Sequence, residues 1–375
     1  MRKNILFLHS GGDQIRGTEF TLITILKSLD REIFYPIVIC DSDVFLEELN
    51  SINVECYLRK FPEFMFEGSY VSFPLFQYIR AFRWLLKLCR RSRIDLLYAN
   101  GGRPCQLAVP LKKIIKIPLI CQFHHPAPKR YYYIWLVKLA DRVFFPSQFT
   151  ANHSKYKANL EGKVIYLGID NVDVYARRNK REYRYRNALG IDGDDVVFSQ
   201  IGFVGEYKGV GLVIDAFEEV KKITPNIKLV FIGEGPEKEK YLTIVKEKNL
   251  TDSILFLGYV DSVAEYLLHV VDVNILASNE EGLGLVLLQA SACRLPNIGT
   301  NGTGIKETII HNRTGFLFEE NNKNELAGYM QSLVSSNKLR SDMGLNGEEM
   351  VDKKFSEKNY VSNIKNEINE LIGSR

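Results

Sequence analysis

What this chain lacks narrows it first. No window offers the roughly 18 to 20 uninterrupted apolar residues that crossing a bilayer takes. The apolar run near the start, Ile5-Leu6-Phe7-Leu8, is too short for a signal peptide and reads as a buried first strand. A cytoplasmic protein is expected. Cysteine is scarce, and Cys40, Cys56, Cys89, Cys105, Cys121 and Cys293 form no CxxC pair. That argues against a disulfide framework or a thiolate metal site and for reduced packing residues of an intracellular protein. Neither sign of charge dominates: 49 Lys and Arg against 45 Asp and Glu leave a net charge of +4, too mild at this length to argue for nucleic acid. Paired acids at metal-ligand spacing, repeats of solenoid period and low-complexity tracts are also missing.

What is present is a globular composition, 46% hydrophobic and 25% charged over 375 residues, enough for two domains that each bury a core. Short apolar runs alternate with amphipathic segments from end to end, the pattern of parallel strands joined by crossover helices, so the fold class is α/β. Strands are expected at 5–9, 35–40, 53–58, 96–98, 118–123, 142–145 and 163–166, and a second series at 196–201, 228–232, 254–257, 273–276 and 296–299. Between the series, the polar stretch around 170–185 suits an interdomain linker. The last segment, 356–372, spaces Tyr360, Ile364, Ile368 and Leu371 as a helix does. Two Rossmann-like halves, 1–172 and 173–356, would face each other and take a ligand at the carboxyl ends of their strands.

The most informative stretch runs from Ala277 to Ala290. A strand-like run breaks at Asn279-Glu280-Glu281-Gly282-Leu283-Gly284 and then opens an apolar helix at Leu285. Gly282 and Gly284 let backbone amides come close to a ligand, and the first-turn N–H groups are donors carrying partial positive charge, which suits phosphate. Glu281 would repel bare phosphates, so it makes sense against a polyhydroxyl group attached beyond them. A nucleotide sugar has both parts. Elsewhere, Gly202-Phe203-Val204-Gly205-Glu206-Tyr207-Lys208-Gly209 follows a strand and opens a helix, placing Lys208 where a cation reaches a diphosphate. His124 ends a strand, and a neutral imidazole there can hydrogen-bond a sugar hydroxyl or an acceptor. Ser147 fits as the cap of the helix that follows it.

These stretches resemble the family 4 retaining glycosyltransferases. That family's acidic signature reads Glu, Gly, Phe, Gly, four further residues and a second Glu; here Leu283 replaces the Phe and Gln289 stands at the second Glu. Ala292-Cys293-Arg294-Leu295-Pro296, Thr303-Gly304-Ile305-Lys306-Glu307 and Asn312-Arg313-Thr314-Gly315 resemble the family's downstream turns in order and spacing over roughly forty residues. Lys208-Gly209 matches its phosphate loop, although Phe203 takes the place of an Arg. Gly17-Thr18-Glu19 resembles its Gly-Gly-Ala-Glu turn, and His124 a His found beside the donor sugar.

The resemblance implies a GT-B fold of two facing Rossmann-like domains with parallel sheets, in which the C-terminal helix, about 357–375, returns to the N-terminal, acceptor-side domain. It implies transfer of a sugar from a nucleotide diphosphate to a hydroxyl acceptor, in cell-surface polysaccharide or lipid-linked oligosaccharide synthesis. Glu281, Lys208 and His124 are the candidates for chemistry; Gly17, Gly282, Leu283, Gly284, Leu285 and Gln289 are the candidates for donor binding. No cofactor beyond the nucleotide-sugar co-substrate and no metal ion are expected; the partners are that donor and a glycan or lipid-linked acceptor, not nucleic acid. The lost Arg at 203 removes a charge-assisted bond of roughly 1.5–3 kcal/mol, and Gln289 in place of Glu about 1 kcal/mol. Those two departures motivate the alternative of a catalytically weak or inactive binding subunit of the same shape. A sugar-nucleotide epimerase is a third reading, against which the extended signature argues.

Two basic, aromatic segments remain. Residues 76–93 interleave Arg80, Arg83, Lys87, Arg90, Arg91 and Arg93 with Trp84, Leu85 and Leu88, and 129–135 add an aromatic cluster. They read either as crossover helices with a solvated basic face, Leu85, Leu88 and Cys89 being needed for the core, or as a peripheral contact with an anionic membrane.

Overall fold

The apolar runs form parallel strands because both of their faces are covered, which removes the need for alternation. The computed structural model describes residues 2–12, 14–62, 65–67, 70–72, 74–125, 137–170 and 181–373. It divides the chain into two units, Met1–Gly168 with Glu357–Arg375, and Ile169–Ser356.

In the first unit the strands are β1 (Lys3–His9), β2 (Phe34–Cys40), β3 (Glu55–Leu58), β4 (Met65–Glu67), β5 (Tyr70–Ser72), β6 (Leu96–Asn100), β7 (Leu119–Gln122), β8 (Arg142–Phe145) and β9 (Lys163–Val164). Seven of them form one parallel sheet in the order β3-β2-β1-β6-β7-β8-β9, while β4 and β5 pair as a separate antiparallel hairpin. Central β1 bonds to β2 on one side and β6 on the other, with Ile5 opposite Pro36 and Leu96. The chain therefore builds outward from β1 in one direction and then returns to build in the other.

The second unit repeats this plan with β10 (Val196–Ile201), β11 (Ile227–Ile232), β12 (Ile254–Gly258), β13 (Val273–Leu276), β14 (Asn297–Thr300) and β15 (Gly315–Phe318), ordered β12-β11-β10-β13-β14-β15 and parallel throughout. Both sheets are thus Rossmann-like, and each reverses its strand order once, at β1/β6 and at β10/β13. The strands depart from expectation in places. β3 begins at Glu55 rather than 53, β6 runs on to Asn100, β9 stops at Val164, and β15 and the β4–β5 hairpin are additional. Of the expected linker, residues 171–180 lie outside the described residues.

The C-terminal helix Glu357–Gly373 belongs to the first unit. Its stripe of Tyr360, Ile364, Ile368, Leu371 and Ile372 is buried, and it packs against the helix Gly17–Ser28. Gln122 Nε2 donates to Tyr360 Oη at 3.0 Å. Glu367 accepts from Arg142 Nε at 2.8 Å and Lys163 Nζ at 2.5 Å. Burial alone would raise the Glu367 pKa, but Lys163 and Arg142 outweigh it and hold the carboxyl below its ordinary value. Because Ile368 is 0% exposed, Ile368→Ala is expected to destabilise the first unit by about 2–5 kcal/mol in urea unfolding. A loss near zero would show that the helix contributes nothing to this core.

Candidate functional site

In an open parallel sheet the loops on either side of the order reversal leave in opposite directions, and a crevice opens at the carboxyl ends of the strands. In the second unit the loop after β10 carries Lys208 and the loop after β13 carries Glu281. The first turns through a short 3-10 segment, Glu206–Lys208, into Gly209, whose φ of +69° is a conformation that L side chains rarely adopt. A Cβ on Gly209 would also lie 2.4 Å from the Ala277 carbonyl oxygen, so the two loops touch backbone to backbone. Asn279 N–H donates to Tyr207 O at 2.9 Å, and Gln200 Nε2 donates to Lys208 O at 2.6 Å.

This contact brings two sequence-predicted residues together. Lys208 Nζ donates to Glu281 Oε2 at 2.6 Å, and the two side chains are only 15% and 14% exposed. Lys208 Nζ also stands 5.3 Å from the ring centroid of Tyr207, on which Phe203 stacks at 5.8 Å. The residue in place of the family Arg thus supports the aromatic beside the lysine but supplies no cation.

Immediately beyond Glu281 begins the helix Leu285–Ala292, with Gly284 at its N-cap, no side-chain cap and no acid in its first turn. Its positive end is therefore neutralised by nothing on its own element. The Glu281–Gly282 turn is pinned from the other side: Gly304 N–H donates to Glu281 O at 3.1 Å, and a Cβ on Gly304 would lie 2.0 Å from Gly282 O. Leu283 is buried at 2% exposure, so only its backbone could meet a ligand, whereas Leu285 and Gln289 are half-buried. The Gln289 amide has no hydrogen-bond partner among the described residues. Two further polar atoms near these loops, Gln200 Oε1 and Ser278 Oγ, are buried without a partner.

The first unit places a different kind of site at its own reversal. His9 ends β1 and Asn100 ends β6, which are hydrogen-bonded neighbours, and His124 follows β7. Glu19 Oε1 meets His9 Nε2 at 2.9 Å, Asn100 Nδ2 meets His9 Nδ1 at 2.9 Å, and His124 Nε2 meets Asn100 Oδ1 at 2.7 Å. The orientation of Asn100 is fixed by its Nδ2, which also donates to Thr18 O at 3.3 Å. An amide oxygen only accepts, so the proton between Asn100 and His124 sits on His124 Nε2, and on His9 it is Nε2 that donates to Glu19. His124 Nδ1 is then an acceptor, buried and without a partner.

Burial pushes the His124 pKa down to about 3. At Glu19 burial opposes ionisation, but the hydrogen bonds from His9 and the Thr18 hydroxyl hold the pKa down at about 2. Gly17 opens the helix Gly17–Ser28 one residue before Thr18, so it shares this end of the unit with His124. Ser147 caps the helix Gln148–Ala158, its Oγ accepting from Thr150 N–H at 3.0 Å, and His125 is exposed. His9, Asn100 and Glu19 carry no role in the sequence reading; the signal that could have found the first two is a polar residue at the end of an otherwise apolar strand.

Among the described residues no three His, Cys, Asp or Glu side chains gather to hold a metal ion, and no helix is long and apolar enough to cross a membrane. Segment 129–135 lies outside the described residues.

Paired Rossmann-like sheets, each with polar groups gathered at its strand-order reversal, define the GT-B class. Family models agree and cover both units: "Glycosyltransferase Family 4" matches residues 15–173 and "Glycosyl transferases group 1" matches 182–350. The chain belongs to the family 4 glycosyltransferases. It is 35% identical over 214 residues to N-acetyl-alpha-D-glucosaminyl L-malate synthase of Bacillus anthracis, covering 56% of this chain and 54% of that protein. It is 27% identical over 217 residues to the capsular polysaccharide biosynthesis glycosyltransferase CapM of Staphylococcus aureus, covering 54% and 55%. The matched stretch thus spans about half the length of each of these curated relatives. Among solved structures, Anabaena HepE in complex with UDP superposes with a TM-score of 0.82 at 19% identity, over 99% of this chain and 100% of that one.

The buried chain makes stability depend on pH in a defined direction. Below about pH 6.5 an unfolded His124 takes up a proton that the folded one refuses, down to about pH 3; Glu19 behaves likewise between its ordinary value of 4.5 and about 2. Both therefore contribute stability that is lost as pH falls. Unfolding free energy should drop by up to about 1.4 kcal/mol per pH unit from His124 alone as pH falls below 6.5. His124→Gln should flatten that slope, and an unchanged slope would mean that His124 titrates normally.

Proposed function

We propose that the protein is a retaining glycosyltransferase that moves a sugar from a nucleotide-diphosphate donor to a hydroxyl acceptor. The observation that carries this reading is the Lys208–Glu281 pair at the uncapped mouth of the helix Leu285–Ala292. A diphosphate arriving there meets the Lys208 ammonium and the first-turn amides, and a sugar attached beyond it meets Glu281. As the bond from the anomeric carbon to the diphosphate breaks, its electron pair goes to the phosphate oxygen, and Lys208 with the helix mouth stabilises that growing charge. Glu281 binds the sugar hydroxyls and stabilises the cationic anomeric carbon. The acceptor oxygen attacks from the face the diphosphate leaves, and its proton passes to the departing phosphate oxygen.

His124 Nδ1, an acceptor held neutral, suits a hydroxyl of the sugar or of the acceptor. Gly17 and Gln289 belong to the proposed donor contacts, the latter accepting from a ribose hydroxyl. No cofactor and no metal ion are required in this reading, because the cationic role falls to Lys208 and the helix dipole. A glycan or lipid-linked acceptor in cell-surface polysaccharide synthesis fits the similarity to the staphylococcal capsular polysaccharide glycosyltransferase, and a cytoplasmic site of action fits the proposed donor.

Release of free nucleotide from UDP-, GDP- and ADP-sugars tests the proposal. Slow release with one donor is expected, falling by about 10²-fold or more in Lys208→Ala and in Glu281→Ala. Nucleotide-sugar binding with no release from any donor, in the presence of candidate acceptors too, would instead favour a binding subunit, the reading that Phe203 and Gln289 motivate.

A further inference from the structure

Residues 68–94 contain six Lys and Arg and no Asp or Glu, whereas the whole chain carries only +4, so everything outside this segment sums to −2. The segment is strongly basic, as is 96–140 with seven Lys and Arg and no Asp or Glu, but only in 75–91 do the cations lie along a single long helix. Most of that segment is the helix Leu75–Arg91, 17 residues long. Its core side is accounted for: Leu85, Leu88 and Cys89 are buried, and Tyr78, Ala81, Phe82 and Trp84 pack against the same cluster. The other side is not. At 3.6 residues per turn, Phe76, Ile79, Arg80, Arg83, Lys87 and Arg90 fall within an arc of about 100°, and all six are exposed.

Phe76 is 88% exposed, more than any other large apolar side chain among the described residues, and Ile79 and Leu75 beside it are each 44% exposed. Arg80, Arg83, Lys87 and Arg90 have no acidic partner among the described residues. Four of the basic helix's residues, Arg83, Lys87, Arg90 and Arg91, line a shallow depression of about 540 Å³ with Leu86. An aqueous face needs neither an exposed Phe nor cations without counter-charges; a surface that is apolar at depth and anionic at its rim needs both.

We propose that this helix face is a docking surface for an anionic phospholipid bilayer, with Phe76, Leu75 and Ile79 entering the headgroup–acyl boundary and Arg80, Arg83, Lys87 and Arg90 engaging lipid phosphates. The helix lies along the interface, since its opposite side is committed to the core, and the charge complementarity selects anionic over zwitterionic lipid. A protein docked in this way meets acceptors that are themselves held in the membrane. The proposal stands on charge and exposure alone and does not depend on the chemistry at Lys208 and Glu281.

Co-sedimentation of the full chain with vesicles tests it. Binding is expected to vesicles of phosphatidylcholine mixed with phosphatidylglycerol and not to phosphatidylcholine alone, and to weaken as salt rises from about 0.1 M to about 0.5 M. The double substitution Arg83→Gln with Lys87→Gln should weaken binding by about 25-fold, some fivefold per charge, and Phe76→Ser by a further several-fold, with unfolding midpoints unchanged. Three results would overturn the proposal: equal binding to neutral vesicles, no vesicle binding by the unaltered chain, or retention on soluble heparin without vesicle binding, which would assign the cations to a soluble polyanion.

Discussion

Two backbone segments can meet at hydrogen-bonding distance only where no side chain stands between them, and the candidate site in the second unit depends on that constraint. Gly209 lies against the carbonyl of Ala277, and Gly304 against that of Gly282. Any Cβ at either position would drive apart the loops that carry Lys208 and Glu281, and with them the 2.6 Å ion pair and the open end of the next helix. The glycines are thus the scaffold of an electrostatic device rather than hinges. Three loops from three strand ends converge on one turn, so a cation, a carboxylate and a set of first-turn amides share one place without any of them lying in a strand.

The two units apply one topological rule to opposite electrostatic ends. Each sheet reverses its strand order once, and each gathers polar side chains at the carboxyl ends of the reversing strands. In the second unit the gathered groups are charged and partly exposed, as suits an anionic ligand. In the first they are buried and bonded in series from Glu19 through His9 and Asn100 to His124, and burial keeps the last imidazole neutral. A neutral acceptor nitrogen in a dry setting addresses hydroxyl groups and would be a poor partner for phosphate. Charge suits phosphate and neutral polarity suits hydroxyl groups, so the two units gather groups fitted to different ligand chemistry.

Much of this architecture was legible from residue patterns, and the parts that were not share a cause. Runs such as Ile5 to Leu8 and Pro36 to Cys40 announce buried parallel strands because nothing polar interrupts them, and the spacing of Tyr360, Ile364 and Ile368 announces the last helix. β15 escaped because it begins at Gly315, inside the Asn312–Gly315 turn, so its short apolar run looks like the turn's exit. Lys208 and Glu281 were each recognisable from local loop chemistry, but their direct pairing spans 73 positions and follows only from β10 lying beside β13. His9 and Asn100, 91 positions apart, were missed for the same reason. Local pattern fixes elements and their ends; which ends become neighbours is decided by strand order, and the side-chain pairs that strand order creates are not visible in any window of sequence.

On the proposed function, Lys208 must give up its 2.6 Å pairing with Glu281 to engage the diphosphate of a nucleotide. Titration calorimetry comparing a nucleoside diphosphate with its monophosphate, on the unaltered chain and on Lys208→Ala, reads this directly. The diphosphate is expected to bind more tightly by tenfold or more, about 1.4 kcal/mol, and Lys208→Ala to remove most of that advantage while leaving monophosphate binding nearly unchanged. Equal loss for both nucleotides, or an undiminished preference for the diphosphate in Lys208→Ala, would contradict it.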